Sequence, residues 1–294
     1  MGAGIGASIA TFVRPSEPAT VAVTANLAQP PPSESPAAAG PPVAVVAPAL
    51  NAVTLSPADR RPRIAVVIDD VGVHVPNARR AIALPGPLTL SLMTYAADLP
   101  GLAAAARGRG HELMLHVPME PAVWDVDPGP NVLLAGRTGA ELQRRIDWAL
   151  ERIDGIDGVV GINNHMGSRF TADRAAMDVL MRALALRGLL FLDSVTTGHT
   201  VGRVASRAAG VPYLSRDVFL DNEETAEAVG ARLRELEAKA RRDGSAVAIG
   251  HPKAATLAAL EAWLPTLAGR GFVLVPVSAL VPAPGADLIA RASR

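Results

Sequence analysis

Cysteine is absent from all 294 residues, which excludes disulfides and thiolate metal sites and suits an oxidising compartment. Aromatic residues amount to only 3%. Neither sign of charge dominates: 28 Lys and Arg balance 28 Asp and Glu, so no global field draws the chain to nucleic acid, and no nucleic-acid partner is expected. A long hydrophobic run is missing as well. Residues 1–13 are uncharged, small and apolar, but they fall short of the roughly 20 residues that a spanning helix needs, and the basic n-region of a signal peptide is lacking. Nor does a glycine-rich phosphate or dinucleotide fingerprint follow the first strand, where Asp69-Asp70-Val71-Gly72 stands instead.

What is present falls into parts. Arg14 to Pro62 holds eleven of the 25 prolines, many alanines and no aromatic residue, a composition that cannot build a packed core and reads as an extended linker. An apolar start followed by a Pro/Ala linker fits export with membrane attachment. Residues 1–62 are therefore expected to be a disordered segment or a membrane tether, and the protein to be periplasmic or envelope-associated, with inner-membrane anchoring as the tether form.

From Arg63 the texture changes to alternating strand and helix signals. Ile64-Ala65-Val66-Val67-Ile68 reads as a strand buried on both faces, the kind found in helix-covered parallel sheets. Further apolar runs at 87–93, 112–117, 158–162, 189–192, 211–214, 246–250 and 272–277 alternate with helical stretches. Thr138 precedes Glu141 by a capping-box spacing. Thr171 and Asn222 are expected to cap the helices after them, and Pro265 to kink the helix that contains Trp263. The expected fold class is α/β, a single irregular (β/α) barrel of seven to eight βα units over residues 63–282, with 283–294 as a tail. A doubly wound open sheet is the alternative, and the missing fingerprint counts against it.

Most of the distinctive polar residues sit at strand ends: Asp69 and Asp70, His116, then Asn163, Asn164 and His165, then Asp193, Asp221 and His251. In a (β/α) barrel those ends open on one face, where the active sites of such enzymes lie. Three imidazoles with several carboxylates suit a divalent metal such as zinc. Adjacent strand residues point to opposite sides, so Asp69 and Asp70 diverge unless the strand ends between them. Two like charges there are costly unless a cation or hydrogen bonds compensate. His74, His111 and His199 lack this placement and read as surface or supporting residues.

Several blocks together resemble the divergent polysaccharide deacetylase family, a bacterial branch of the carbohydrate esterase deacetylases. They are Val67-Ile68-Asp69-Asp70-Val71-Gly72, His116-Val117-Pro118-Met119-Glu120-Pro121, Asn163-Asn164-His165-Met166-Gly167-Ser168, Phe191-Leu192-Asp193-Ser194, Arg216-Asp217-Val218-Phe219-Leu220-Asp221-Asn222 and Ile249-Gly250-His251-Pro252. The resemblance implies a metal-dependent hydrolase that removes acetyl groups from a cell-envelope polysaccharide or oligosaccharide. It implies that Asp69 acts as base, Asp70 and His165 as metal ligands, and His251 as general acid. Where ordinary members carry a second histidine four residues after the first, this chain has Arg169, so a third ligand has to come from another strand, and His116 is the candidate. Asn164, Asp193, Asp221 and Arg169 are expected as supporting or substrate-contacting residues, with Asp193 or Asp221 orienting a histidine. The missing histidine also leaves a second reading: a barrel that binds glycan or an envelope protein without turnover. A phosphoesterase would want more basic residues at the strand ends than Arg169, Arg216 and Lys253.

Overall fold

Strand β1 (Arg63–Val71) is buried along both faces, as its apolar run requires. Ala65 and Val67 face one apolar cluster, while Ile64, Val66 and Ile68 face another. The first cluster lines the inside of a curled sheet and the second packs the sheet against helices. The computed structural model describes residues 59–281. Except for 59–62, the expected tether and linker of residues 1–62 lie outside the described residues, as does the tail at 283–294. No helix among the described residues is long and apolar enough to cross a membrane.

After β1 the chain runs through α1 (Val75–Ala83), β2 (Thr89–Met93), α2 (Leu99–Gly108), β3 (Glu112–Met119) and α3 (Gly139–Glu151). It continues with β4 (Val159–Met166), α4 (Arg174–Arg187), β5 (Leu190–Asp193), α5 (Gly202–Ala209), β6 (Tyr213–Ser215) and β7 (Val218–Phe219). The last elements are α6 (Ala226–Asp243), β8 (Ser245–Gly250), α7 (Ala254–Trp263) and β9 (Val273–Leu274). The strands are hydrogen-bonded in the order β6-β5-β4-β3-β2-β1-β8-β7, with β9 beside β1, and every pair is parallel. This is the irregular (β/α) barrel read from the sequence. Among the described residues no ladder joins β6 to β7. Arg216 and Asp217 step across that gap, Arg216 N–H donating to the Asp193 carbonyl at 3.0 Å and Asp217 N–H to the Val247 carbonyl at 2.9 Å.

Four local expectations change. Thr171 sits in a 3₁₀ turn, Phe170–Ala172, and Asp173 caps α4 by accepting from Ala176 N–H at 3.0 Å. Thr225, rather than Asn222, caps α6 through Ala228 N–H at 3.2 Å. Pro265 lies in a 3₁₀ turn, Leu264–Thr266, directly after Trp263, so the helix ends there rather than kinks. The run at 272–277 shortens to β9 because Pro276 has no N–H for a ladder. Beyond it Val275 and Val277 turn into the inner cluster and close the barrel floor. Buried Glu112 holds that closure, accepting from Thr89 Oγ1 at 3.0 Å, from Ser278 N–H at 3.2 Å and from the Ser278 hydroxyl.

Candidate metal centre

Six of the expected residues meet at the C-terminal mouth of the barrel. Asp69 follows Ala65 and Val67 on the inward face of β1 and is almost fully buried. Alternation alone would send Asp70 outward. Instead the register of β1 against β2 slips between Ile68 and Val71, and Asp70 adopts a left-handed backbone, φ 55°. Asp tolerates that conformation better than most residues, and a bulge of this kind re-aims a side chain. Both carboxylates therefore face the mouth.

On β3, His116 shares the inward face with Glu112 and Met114. It pairs in register with Asn163 of β4, and Pro118 pairs with His165. Strand β4 runs on to Met166, so Asn163 and His165 lie within the strand, two apart and on one face. Asp221 follows β7, and His251 follows β8.

Three donor atoms converge. His165 Nδ1 is 3.0 Å and His116 Nε2 3.3 Å from Asp70 Oδ1, and the two ring nitrogens are 3.3 Å apart. Asp70 Oδ1 is buried and, despite these neighbours, accepts no hydrogen bond. A buried carboxylate oxygen without a hydrogen bond is costly, and two ring nitrogens, each a ligand atom when unprotonated, face the same point. Ligand atoms around a tetrahedral zinc at about 2.0–2.1 Å stand roughly 3.3–3.4 Å from one another, close to the spacing here. The residues fit a divalent cation, and Asp70, His116 and His165 are those that could hold it.

The other groups surround this triad. Asp69 Oδ2 lies 3.6 Å from His116 Nε2, and Asp69 Oδ1 accepts from Asn163 Nδ2 at 2.8 Å. His251 directs Nδ1 to Asp221 Oδ1 at 3.0 Å, leaving Nε2 toward Asp70 Oδ2 at 3.9 Å. Asp221 is itself fixed by His251 N–H at 2.7 Å and Thr256 Oγ1 at 2.9 Å. Burial pushes the Asp69 carboxyl up, against the opposing pull of His116 and His251. Burial also opposes the charge on Asp70, yet the His116 and His165 imidazoles hold it well below the usual carboxylate range. His116 is disfavoured as a cation by burial, but Asp69 and Asp70 push it up to about 9. For His251, Asp221 and the two aspartates outweigh burial and raise it.

The remaining expected residues lie elsewhere. Asp193 orients no histidine: it accepts from Thr200 Oγ1 at 2.6 Å, Val195 N–H at 2.8 Å and Tyr213 OH at 3.1 Å, shaping the loop after β5. Asp221 alone has the orienting role. Asn164 points to the opposite face from Asn163, and its amide ties Ser194 N–H at 2.9 Å to the Met166 carbonyl at 2.7 Å. Arg169 stays 61% exposed, its Nε 3.5 Å from Glu120 Oε1, and it is not part of the triad. His74 and His199 are exposed, as read from the sequence. His111 is not: it is 1% exposed and supports the fold. Asn164 is the asparagine expected from the sequence as a supporting residue, whereas Asn163 is the one that reaches Asp69 and His116. The period of two counted from His165 is the signal that would have selected it.

Residues 66–281 match the family described as divergent polysaccharide deacetylase. An uncharacterized protein of Escherichia coli (strain K12), YibQ, is 33% identical over 228 residues, covering 76% of this chain and 69% of that protein. One from Haemophilus influenzae (strain ATCC 51907 / DSM 11121 / KW20 / Rd) is 35% identical over 207 residues, covering 70% of this chain and 72% of that protein. A crystal structure of an uncharacterized protein from Agrobacterium tumefaciens C58 superposes with a TM-score of 0.72 at 32% identity, over 77% of this chain and 92% of its own.

Proposed function

The chain belongs to the divergent polysaccharide deacetylase family, and on that premise we propose that it is a divalent-metal-dependent hydrolase removing acetyl groups from a cell-envelope polysaccharide. The convergence of Asp70 Oδ1, His116 Nε2 and His165 Nδ1 carries this reading. Zinc is the proposed ion, given two imidazoles and one carboxylate. When bound, the ion supplies Lewis acidity, polarising the acetyl carbonyl and making water more acidic.

The chain's own residues divide the proton work. Asp69, made more basic by burial, takes the proton of the attacking water. Its Oδ1 is committed to Asn163, so Oδ2 is the atom that accepts. His251 enters as an imidazolium, which Asp221 stabilises, and delivers a proton from Nε2 to the departing amine or alcohol. Base and acid also act on each other, the imidazolium of His251 favouring the Asp69 carboxylate and the carboxylate favouring the imidazolium, which keeps their protonation states opposite before the reaction. His116 supplies the ligand atom that Arg169 cannot, and this supports turnover over the binding-only reading.

A polymeric substrate is supported by the rim. Trp124 is 55% exposed in the loop after β3, beside exposed Val123 and Val126. Exposed Val73 and Val75 follow β1. Tyr95 packs under Gly129 of the Trp124 loop, and Ala96 packs under Gly72, so the loops after β1, β2 and β3 form one continuous edge. Apolar side chains there would lie along the carbon-rich faces of sugar rings. Envelope placement rests on the composition of residues 1–62, and cell fractionation would check it.

The test is metal content of the purified full chain beside His116→Ala and His165→Ala, followed by acetate release from an N-acetylated oligosaccharide. About one ion per chain, lost in both variants, with acetate released only by the loaded wild type, is expected. A chain that binds no ion after reconstitution overturns the proposal.

A further inference from the structure

Asn163 occupies the centre of the site and is fully buried. Asn163 Nδ2 donates to Asp69 Oδ1 at 2.8 Å and to Ser194 Oγ at 3.3 Å. At its other end Oδ1 meets His116 Nδ1 at 2.8 Å and the Ser91 hydroxyl. An ionised carboxylate only accepts, so Asp69 settles which end of the amide carries the hydrogens. Oδ1 must then face His116 as an acceptor, and His116 Nδ1 must carry a hydrogen. The lone pair of neutral His116 is left on Nε2, the atom beside Asp70 Oδ1 and His165 Nδ1.

We infer that Asn163 is a positioning residue that sets two groups at once, holding His116 in the tautomer that offers Nε2 to a cation and holding Asp69 with Oδ2 turned to the reacting water. This rests on the metal-dependent reading, and it makes ligand and base depend on one amide. Such outer hydrogen bonds typically change metal affinity by about 10–100-fold.

Two substitutions separate the functions. Asn163→Leu removes acceptor and donor together. Asn163→Asp keeps an acceptor for His116 Nδ1–H, and a stronger one, but deletes the donor to Asp69 and places a like charge beside it. Zinc affinity of the full chain, measured by chelator competition, is expected to fall about 10–100-fold in Asn163→Leu and to hold or tighten in Asn163→Asp. Turnover of p-nitrophenyl acetate is expected to fall in Asn163→Asp through kcat, by about 10²–10⁴-fold, with KM nearly unchanged. If Asn163→Asp loses zinc as Asn163→Leu does, or if both bind and turn over as wild type, the proposal is overturned. Should Asn163→Leu fail to fold, Asn163→Asp alone decides. Long-range nitrogen NMR of the metal-free chain, alkaline enough for neutral His116, reads the tautomer directly. A hydrogen on Nδ1 supports the assignment, and one on Nε2 overturns it. A wild type that takes up no zinc sinks the metal reading, while the NMR spectra still decide the tautomer.

Discussion

Asp69 and Asp70 are neighbours with opposite electrostatics, and the difference lies in what each oxygen faces. Asp70 has two ring nitrogens against one oxygen, whereas Asp69 sits deeper and keeps an oxygen free of hydrogen bonds from the fold. Asp69→Asn should therefore leave metal content near wild type and lower kcat by about 10²–10⁴-fold, the usual worth of a positioned general base. Metal analysis and steady-state kinetics on one preparation would check this, and loss of the ion in Asp69→Asn would contradict it. Asp70→Val should lose the ion and also destabilise the fold. A β-branched residue at φ 55° is strained, at a cost of about 1–2 kcal/mol, whereas Asp70→Asn should lose the ion with little change in the melting of the metal-free chain.

At the scale of elements, His111 joins pieces that no ladder joins. Its Nε2–H donates to the Ile82 carbonyl in α1 at 3.0 Å, and its Nδ1 accepts from Leu88 N–H, just before β2, at 3.2 Å. Only neutral imidazole can do both. Burial lowers its pKa below 6.5, with the positive charge of Arg109 adding to that effect. The unfolded chain therefore takes up the proton first. This contribution to stability is intact above 6.5 and is lost as pH falls below it toward the folded value. His111→Ala should lower stability at neutral pH by about 1–3 kcal/mol, the cost of leaving buried backbone groups unpaired. Urea melts across the acid side of neutrality should be flatter with pH in the variant than in wild type, and equal slopes would contradict the neutral-clip account.

For the whole molecule, the ligand atoms come from β1, β3 and β4, so a bound cation ties together strands distant in sequence. Ligand present at about 100 times its dissociation constant stabilises the fold by ~2.7 kcal/mol. Chelation should lower the melting temperature reversibly in wild type and leave that of His116→Ala unchanged, which scanning calorimetry with and without zinc would show. The rim acts on a different quantity. Trp124→Ala should raise KM for an acetylated polymer several-fold while leaving p-nitrophenyl acetate kinetics unchanged, since the small ester does not reach it. An equal effect on both substrates would place Trp124 in the fold rather than in polymer binding.

Local pattern carries far in this chain. The apolar run of Ile64–Ile68, the alternation with helices, and polar residues at successive strand ends determine a parallel barrel and the face where Asp69, Asp70, His116, His165, Asp221 and His251 meet. That works because strand burial and strand-end geometry are set by neighbouring residues. Three matters depend on partners far along the chain. The aim of Asp70 comes from a register slip against β2, which no reading of β1 alone contains. The placing of Asn163 between His116 and Asp69 comes from the pairing of β4 with β3 and from β1 beyond it. The burial of Glu112 comes from residues 275–278 folding into the barrel floor, where Ser278 meets a strand 166 residues earlier. In each case the deciding contact is tertiary, and side-chain direction follows from it.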